Sequence, residues 1–177
     1  MSEKIKVELP AYGSGQKVNQ RSMVAAAAYR AGESLQDEQL GKTFDYTHKH
    51  NVEASAMLTP EYAKDWTKDR QRYWNTVENR EKREDGFFVK ETILMLPRDL
   101  NQNQRKQVVE SWANENLVMK RDLVVDYAIH TPNASHEKYH AHVFYYPHPI
   151  SENGKFVDDD HNVETVIGER VPTIIIL

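Results

Sequence analysis

The chain has no cysteine among its 177 residues. That excludes a disulfide framework, a thiolate metal site and a cysteine nucleophile. Glycine and proline number only seven each. No Gly-x-x-x-x-Gly-Lys-Ser/Thr loop occurs, which argues against nucleotide hydrolysis of the P-loop type, and no Gly-x-Ser-x-Gly nucleophile elbow occurs either. No apolar run reaches the roughly 18 residues expected of a membrane span. The first residues, Met-Ser-Glu-Lys-Ile-Lys-Val-Glu-Leu, alternate charged and apolar side chains, unlike a signal peptide. A cytoplasmic location fits these absences. Neither sign of charge dominates: the net charge is −4, so the chain as a whole is not a strongly basic nucleic-acid binder. The acid excess is local, because residues 151–177 hold six acids and two bases while residues 1–150 hold 21 of each. The expected organisation is therefore one domain over 1–150 and an acidic C-terminal tail over 151–177, with 173–177 an edge strand or an exposed apolar end.

What is present is a succession of short periodic segments. Ile5, Val7 and Leu9 alternate with Lys6 and Glu8, and Gly13-Ser14-Gly15 reads as a loop after that strand. Ser22–Arg30 reads as a helix with a Ser N-cap and Gly32 near its end. Extended segments are expected at 42–47 and 52–58. Thr59-Pro60-Glu61 has the chemistry of a helix start, with Tyr62, Trp66, Tyr73, Trp74 and Val77 along one stripe. The charged run 78–85 reads as a solvated helix end rather than a DNA patch. An apolar strand follows over 87–96, then a helix over 101–118, then two strands. This order predicts an α+β fold: a mostly antiparallel sheet with helices on one face and the other face open.

The last two strands carry the strongest chemical signal. In Tyr139-His140-Ala141-His142-Val143-Phe144 the histidines stand two residues apart, and on a strand that places both on one face. In the preceding strand Leu123, Val125, Tyr127 and Ile129 are apolar, while Asp126 and His130 occupy the alternate positions. If the strands pair antiparallel with His130 opposite His140, three imidazoles share one face at the roughly 4.5–5.5 Å spacing of cross-strand neighbours. Imidazole is the commonest protein ligand for transition metals. Phosphoryl oxygens suit Mn²⁺ or Mg²⁺, and an all-imidazole set also takes Zn²⁺. Such an ion would leave open positions for a substrate and act as a Lewis acid. His136 in the intervening loop is a competing ligand, and His48, His50, His148 and His161 read as surface residues.

A nucleophile must then come from elsewhere. Tyr29, at the end of the run Ala25–Ala28, is the best candidate, because small residues let this helix lie close to a sheet or a ligand. The plainer reading of Tyr29 is a core tyrosine. Arg30 beside it and Arg21 before the helix supply charge for a phosphate backbone.

These residues sit in segments that resemble the MobA/MobL family of plasmid-mobilisation relaxases. The stretch Ser22-Met-Val-Ala-Ala-Ala-Ala-Tyr29-Arg-Ala-Gly-Glu33 is similar to the family's N-terminal motif. Gly41–Tyr46, Leu58–Glu61, Asp69-Arg70, Tyr73-Trp74-Asn75, Glu91 leading to Leu96-Pro97, Ala128–His130 and His140–His142 are similar in order and spacing. The resemblance covers roughly residues 13–146. It departs at Lys138-Tyr139, where the family usually carries Asn-Pro.

The resemblance implies a HUH endonuclease fold and a divalent metal held by His130, His140 and His142. It implies Tyr29 as the nucleophile that nicks one DNA strand at an origin of transfer, leaving a 5′-phosphotyrosyl link. Glu91, and after it Glu81, are the acids implied to support the site. The implied partners are single-stranded origin-of-transfer DNA and accessory mobilisation proteins. Two alternatives share the same residues: a relative that binds single-stranded DNA without cutting it, and a HUH nickase of rolling-circle replication or transposition. In the first, Tyr127, Tyr139, Phe144, Tyr145 and Tyr146 offer stacking platforms. A metalloprotein with a purely structural ion is a third reading.

Overall fold

Five antiparallel strands form the central sheet in this computed structural model, which describes residues 5–7, 11–17, 22–81, 89–158 and 174–176. In spatial order they are β2 (Ala11–Lys17), β6 (Lys90–Met95), β8 (His140–Tyr145), β7 (Val125–His130) and β5 (Val52–Leu58). Two further strand pairs lie outside it. A hairpin joins β3 (Ser34–Asp37) to β4 (Lys42–Asp45), and β1 (Ile5–Val7) pairs with β9 (Ile174–Ile176). Ile150 also bridges to Phe156, whose ring meets Trp66, Tyr73 and Tyr146, so the first residues after 150 pack against the domain.

Period-two alternation divides the two central strands as expected. Val125, Tyr127, Ile129, Ala141, Val143 and Tyr145 point to one face and are fully buried against α3 (Gln102–Ala113), with Val108, Val109 and Trp112 on the helix side. Each such large apolar side chain contributes about 1.5–3 kcal/mol by leaving water. Helix α3 starts where a capping box forms: the Asn101 side chain accepts from Gln104 N, and Gln104 returns a bond to Asn101 N.

The opposite face differs from expectation. It is not open along its length, because α1 (Met23–Ala31) and α2 (Arg70–Arg80) cover it with a second core of Met23, Val24, Tyr73, Trp74, Val77 and Phe144. The alanines of α1 are the reason: Ala26, Ala27 and Ala28 are buried and let the helix backbone approach closely.

Two other boundaries are corrected. Gly13-Ser14-Gly15 is part of β2, and the register between β2 and β6 shifts between Tyr12 and Gln16, which is how glycines inside a strand are accommodated. The helix expected from Thr59 begins at Arg70, because the Asp69 carboxylate accepts the Arg72 N–H at 3.0 Å as the N-cap. Residues 65–68 form only a short 3₁₀ turn, and Tyr62 leaves the helical stripe to donate to Asp122 at 2.7 Å.

Candidate metal centre and nucleophile

Register brings the histidines together. His130 lies directly opposite His140 in the β7–β8 ladder, and His142 is two residues further along β8. Ring centroids stand 5.3 Å apart for His130 and His140, 5.1 Å for His140 and His142, and 4.7 Å for His130 and His142. One ring nitrogen from each lies within 4.8 Å of the other two.

Each ring is oriented through one nitrogen, which leaves the other free to ligate. His130 Nε2–H donates to the Arg30 carbonyl at 2.7 Å. His140 Nδ1–H donates to the Lys138 carbonyl at 3.0 Å. His142 Nδ1–H donates to Glu91 Oε1 at 2.7 Å. Burial pushes His130 down to about 4 against the Arg30 hydrogen bond, with His142 and Lys49 adding to the depression. Burial also lowers His140. Both imidazoles are neutral near pH 7, as ligation requires. The donor set of three imidazoles therefore fits a divalent ion.

Glu91 reaches the site from β6, where it pairs with Phe144, two residues from His142 on β8. The same Oε1 accepts from Arg30 Nε at 2.6 Å. Burial opposes its charge, but the His142 and Arg30 hydrogen bonds outweigh that and hold the carboxyl near 2. Arg30 is 11% exposed at its side chain, paired with Glu91 and placed over the Phe144 ring at 4.5 Å. Glu81 is not in this cluster; it accepts from Tyr146 at 3.2 Å on another part of the sheet. His136 is exposed and stacks on His140 from outside the triad. Arg21 lies outside the described residues.

Tyr29 lies in the last turn of α1, at the same place. The next residue's carbonyl touches His130, so the helix C-terminus abuts the histidines. Tyr29 is 51% exposed, which replaces the core-tyrosine reading. Its ring meets Tyr46 edge-on at 5.2 Å, and Lys49 Nζ stands 3.7 Å over it. Helix α1 is fixed at both ends. Ser22 caps it by accepting from Ala25 N at 2.9 Å, and Glu78 accepts from Met23 N and Val24 N. Gly32, at φ 66°, ends it in the left-handed region.

Further along the same face of β7 lies a buried polar network whose partners the pattern of the sequence did not single out. Asp126, on the histidine face of β7, accepts from Arg70 Nε and Nη2 at 3.0–3.1 Å and from Trp74 Nε1 at 2.9 Å. Arg70 also pairs with Glu33 just after α1. Its only sequence signal was the polar residue at an inward strand position. The aromatics considered as stacking platforms are mostly core: Tyr127, Phe144, Tyr145 and Tyr146 are at most 1% exposed, and Tyr139 is covered by the Arg105 guanidinium at 3.9 Å.

Among the described residues no helix is long and apolar enough to cross a membrane. The model of the MobA/MobL family matches residues 21–174. A mobilization protein MobL of Acidithiobacillus ferridurans is 38% identical over 63% of this chain and 29% of that protein. A probable mobilization protein MobA of Bifidobacterium longum is 31% identical over 85% of this chain and 27% of that protein. The chain thus spans less than a third of the length of these relatives. A solved structure described as the molecular basis of vancomycin resistance transfer in Staphylococcus aureus shares the fold, with a TM-score of 0.75 over 90% of this chain and 80% of that one at 24% identity.

Proposed function

The chain belongs to the MobA/MobL family, and on that premise we propose that it is a relaxase of the HUH type, nicking one strand of DNA at an origin of transfer during plasmid mobilisation. The observation that carries this reading is the junction of α1 with the histidines: an exposed Tyr29 is followed by the residue whose carbonyl bonds His130. One backbone carbonyl, that of Arg30, thus links the end of the helix carrying Tyr29 to the first of the three histidines.

In the proposed reaction the Tyr29 oxygen forms a bond to the scissile phosphorus. The bond from phosphorus to the 3′ oxygen breaks. The phenolic proton passes to solvent, and the departing 3′ oxygen takes one from solvent. The product is a 5′-phosphotyrosyl link, which conserves the phosphodiester for rejoining. His130, His140 and His142 would hold a divalent ion, which would supply Lewis-acid polarisation of the phosphate oxygens; Mn²⁺ or Mg²⁺ suits those oxygens and Zn²⁺ also suits the imidazoles. Glu91 orients His142 and, through its paired charge with Arg30, ties α1 to β6. Glu91 and Arg30 are therefore positioning residues. The single-stranded origin is the substrate, and accessory mobilisation proteins are its natural partners.

The test is a single strand spanning the origin, labelled at its 3′ end and incubated with Mn²⁺. The reading expects label to shift with the protein on a denaturing gel. Label retained only on free DNA fragments would contradict it, and binding without cleavage would favour the non-cutting alternative.

A further inference from the structure

An exposed tyrosine that must attack in line has to be held by something other than burial, because an exposed ring otherwise samples its rotamers freely. Tyr29 is half exposed, yet two groups from one turn grip it. The edge of Tyr46 meets one side of its ring at 5.2 Å with the planes perpendicular. Lys49 Nζ stands 3.7 Å from the ring centroid and also donates to the Tyr29 carbonyl at 2.6 Å. One ammonium thus links the ring and the backbone of the same residue, at the helix end where a cation also complements the dipole.

The turn that presents this grip is itself rigid. Asp45 Oδ1 accepts from Thr47 N at 2.9 Å and from Thr47 Oγ1 at 2.7 Å. Lys49 N donates to the Tyr46 carbonyl at 3.0 Å, and Tyr46 N donates to the Glu33 carbonyl at 3.0 Å, just beyond α1. Tyr46 and Lys49 are therefore fixed to each other and to the end of the helix they clamp. Burial, and then the nearby Arg30 charge, depress the Lys49 ammonium, as expected of a cation turned toward protein.

We infer that Lys49 is a positioning residue for Tyr29, setting the direction of the nucleophile before DNA arrives. The inference rests on the reading of Tyr29 as the nucleophile. Its function is pre-organisation: the half-exposed ring is held before DNA binds, so less of the attack geometry has to be found after binding.

The test pairs two readouts on Lys49→Met and Lys49→Arg. The first is ¹⁹F NMR of metal-free, DNA-free protein carrying 3-fluorotyrosine at position 29 alone. The wild-type resonance should sit away from that of the unfolded chain. Lys49→Met should move it toward that value, and Lys49→Arg should hold it. The second is cleavage of the origin strand. Lys49→Met should lower kcat about 10- to 100-fold, as displacement of a reacting group does, with KM within about twofold, and Lys49→Arg should recover most of it. A resonance and kcat both unmoved by Lys49→Met would overturn the inference. So would a fall in kcat and rise in KM together with a lowered melting temperature, which marks a general structural role. A Tyr29→Phe protein that still forms the adduct would remove the nucleophile reading by itself, whereas the ¹⁹F shift would still report whether Lys49 holds the ring.

Discussion

Glu91 Oε1 accepts a hydrogen bond from His142 Nδ1 at 2.7 Å across the β6–β8 pair. A carboxylate in that position fixes the tautomer of a ligating imidazole and makes its other nitrogen more basic. Glu91→Ala should therefore lower Mn²⁺ affinity about 10- to 100-fold, measured by isothermal titration calorimetry, while the fold is retained. Unchanged affinity would remove Glu91 from the support of the ion.

If the three imidazoles hold an ion in the folded state only, binding is linked to stability. At a free-ion concentration of 100 Kd the gain should be about 2.7 kcal/mol. Thermal unfolding with and without Mn²⁺, and after chelation, reads it directly. His140→Ala should abolish the metal-dependent shift, whereas His136→Ala, outside the triad, should leave it in place.

The Arg70–Asp126 pair is a buried ion pair on the histidine face of β7. The two side chains are 7% and 5% exposed. Arg70→Met would strand a buried carboxylate that also serves Trp74, and should cost about 3–5 kcal/mol in urea unfolding. Adding Asp126→Leu to that variant should recover part of the loss. A single-variant loss near zero would mean that water reaches Asp126.

Gly32 tests how sharply α1 must end after Tyr29. A Cβ there would meet Val52 Cγ2 at 3.1 Å, and the residue's φ is 66°. Gly32→Ala should destabilise the protein by about 1–2 kcal/mol from the left-handed conformation alone, measured by the same unfolding experiment.

How much of this was legible in the sequence follows from the range of each interaction. Side-chain alternation is a local property, so it placed His130, His140 and His142 on one face, and the pairing of His130 with His140 supplied the site. The Ser22 cap and Gly32 stop of α1 were equally local. Long-range partners were not legible. Nothing near Arg30 announced that Glu91, 61 residues away, would pair with its guanidinium. Likewise the clamp of Lys49 on Tyr29 needs the β3–β4 hairpin, whose first strand has too short an alternation to stand out. Residues 59–69 misled because proline chemistry for a helix start was present at Pro60, yet the effective cap was Asp69.

The central claim is that Tyr29 attacks a DNA phosphate beside a metal held by the three histidines. Peptide mapping by mass spectrometry, after reaction with the origin strand and Mn²⁺ and nuclease trimming, tests it most directly. A residual nucleotide phosphate is expected on the peptide containing Tyr29, absent from Tyr29→Phe and from chelated samples. A nucleotide on another residue, or one on Tyr29 formed equally well without metal, would contradict it.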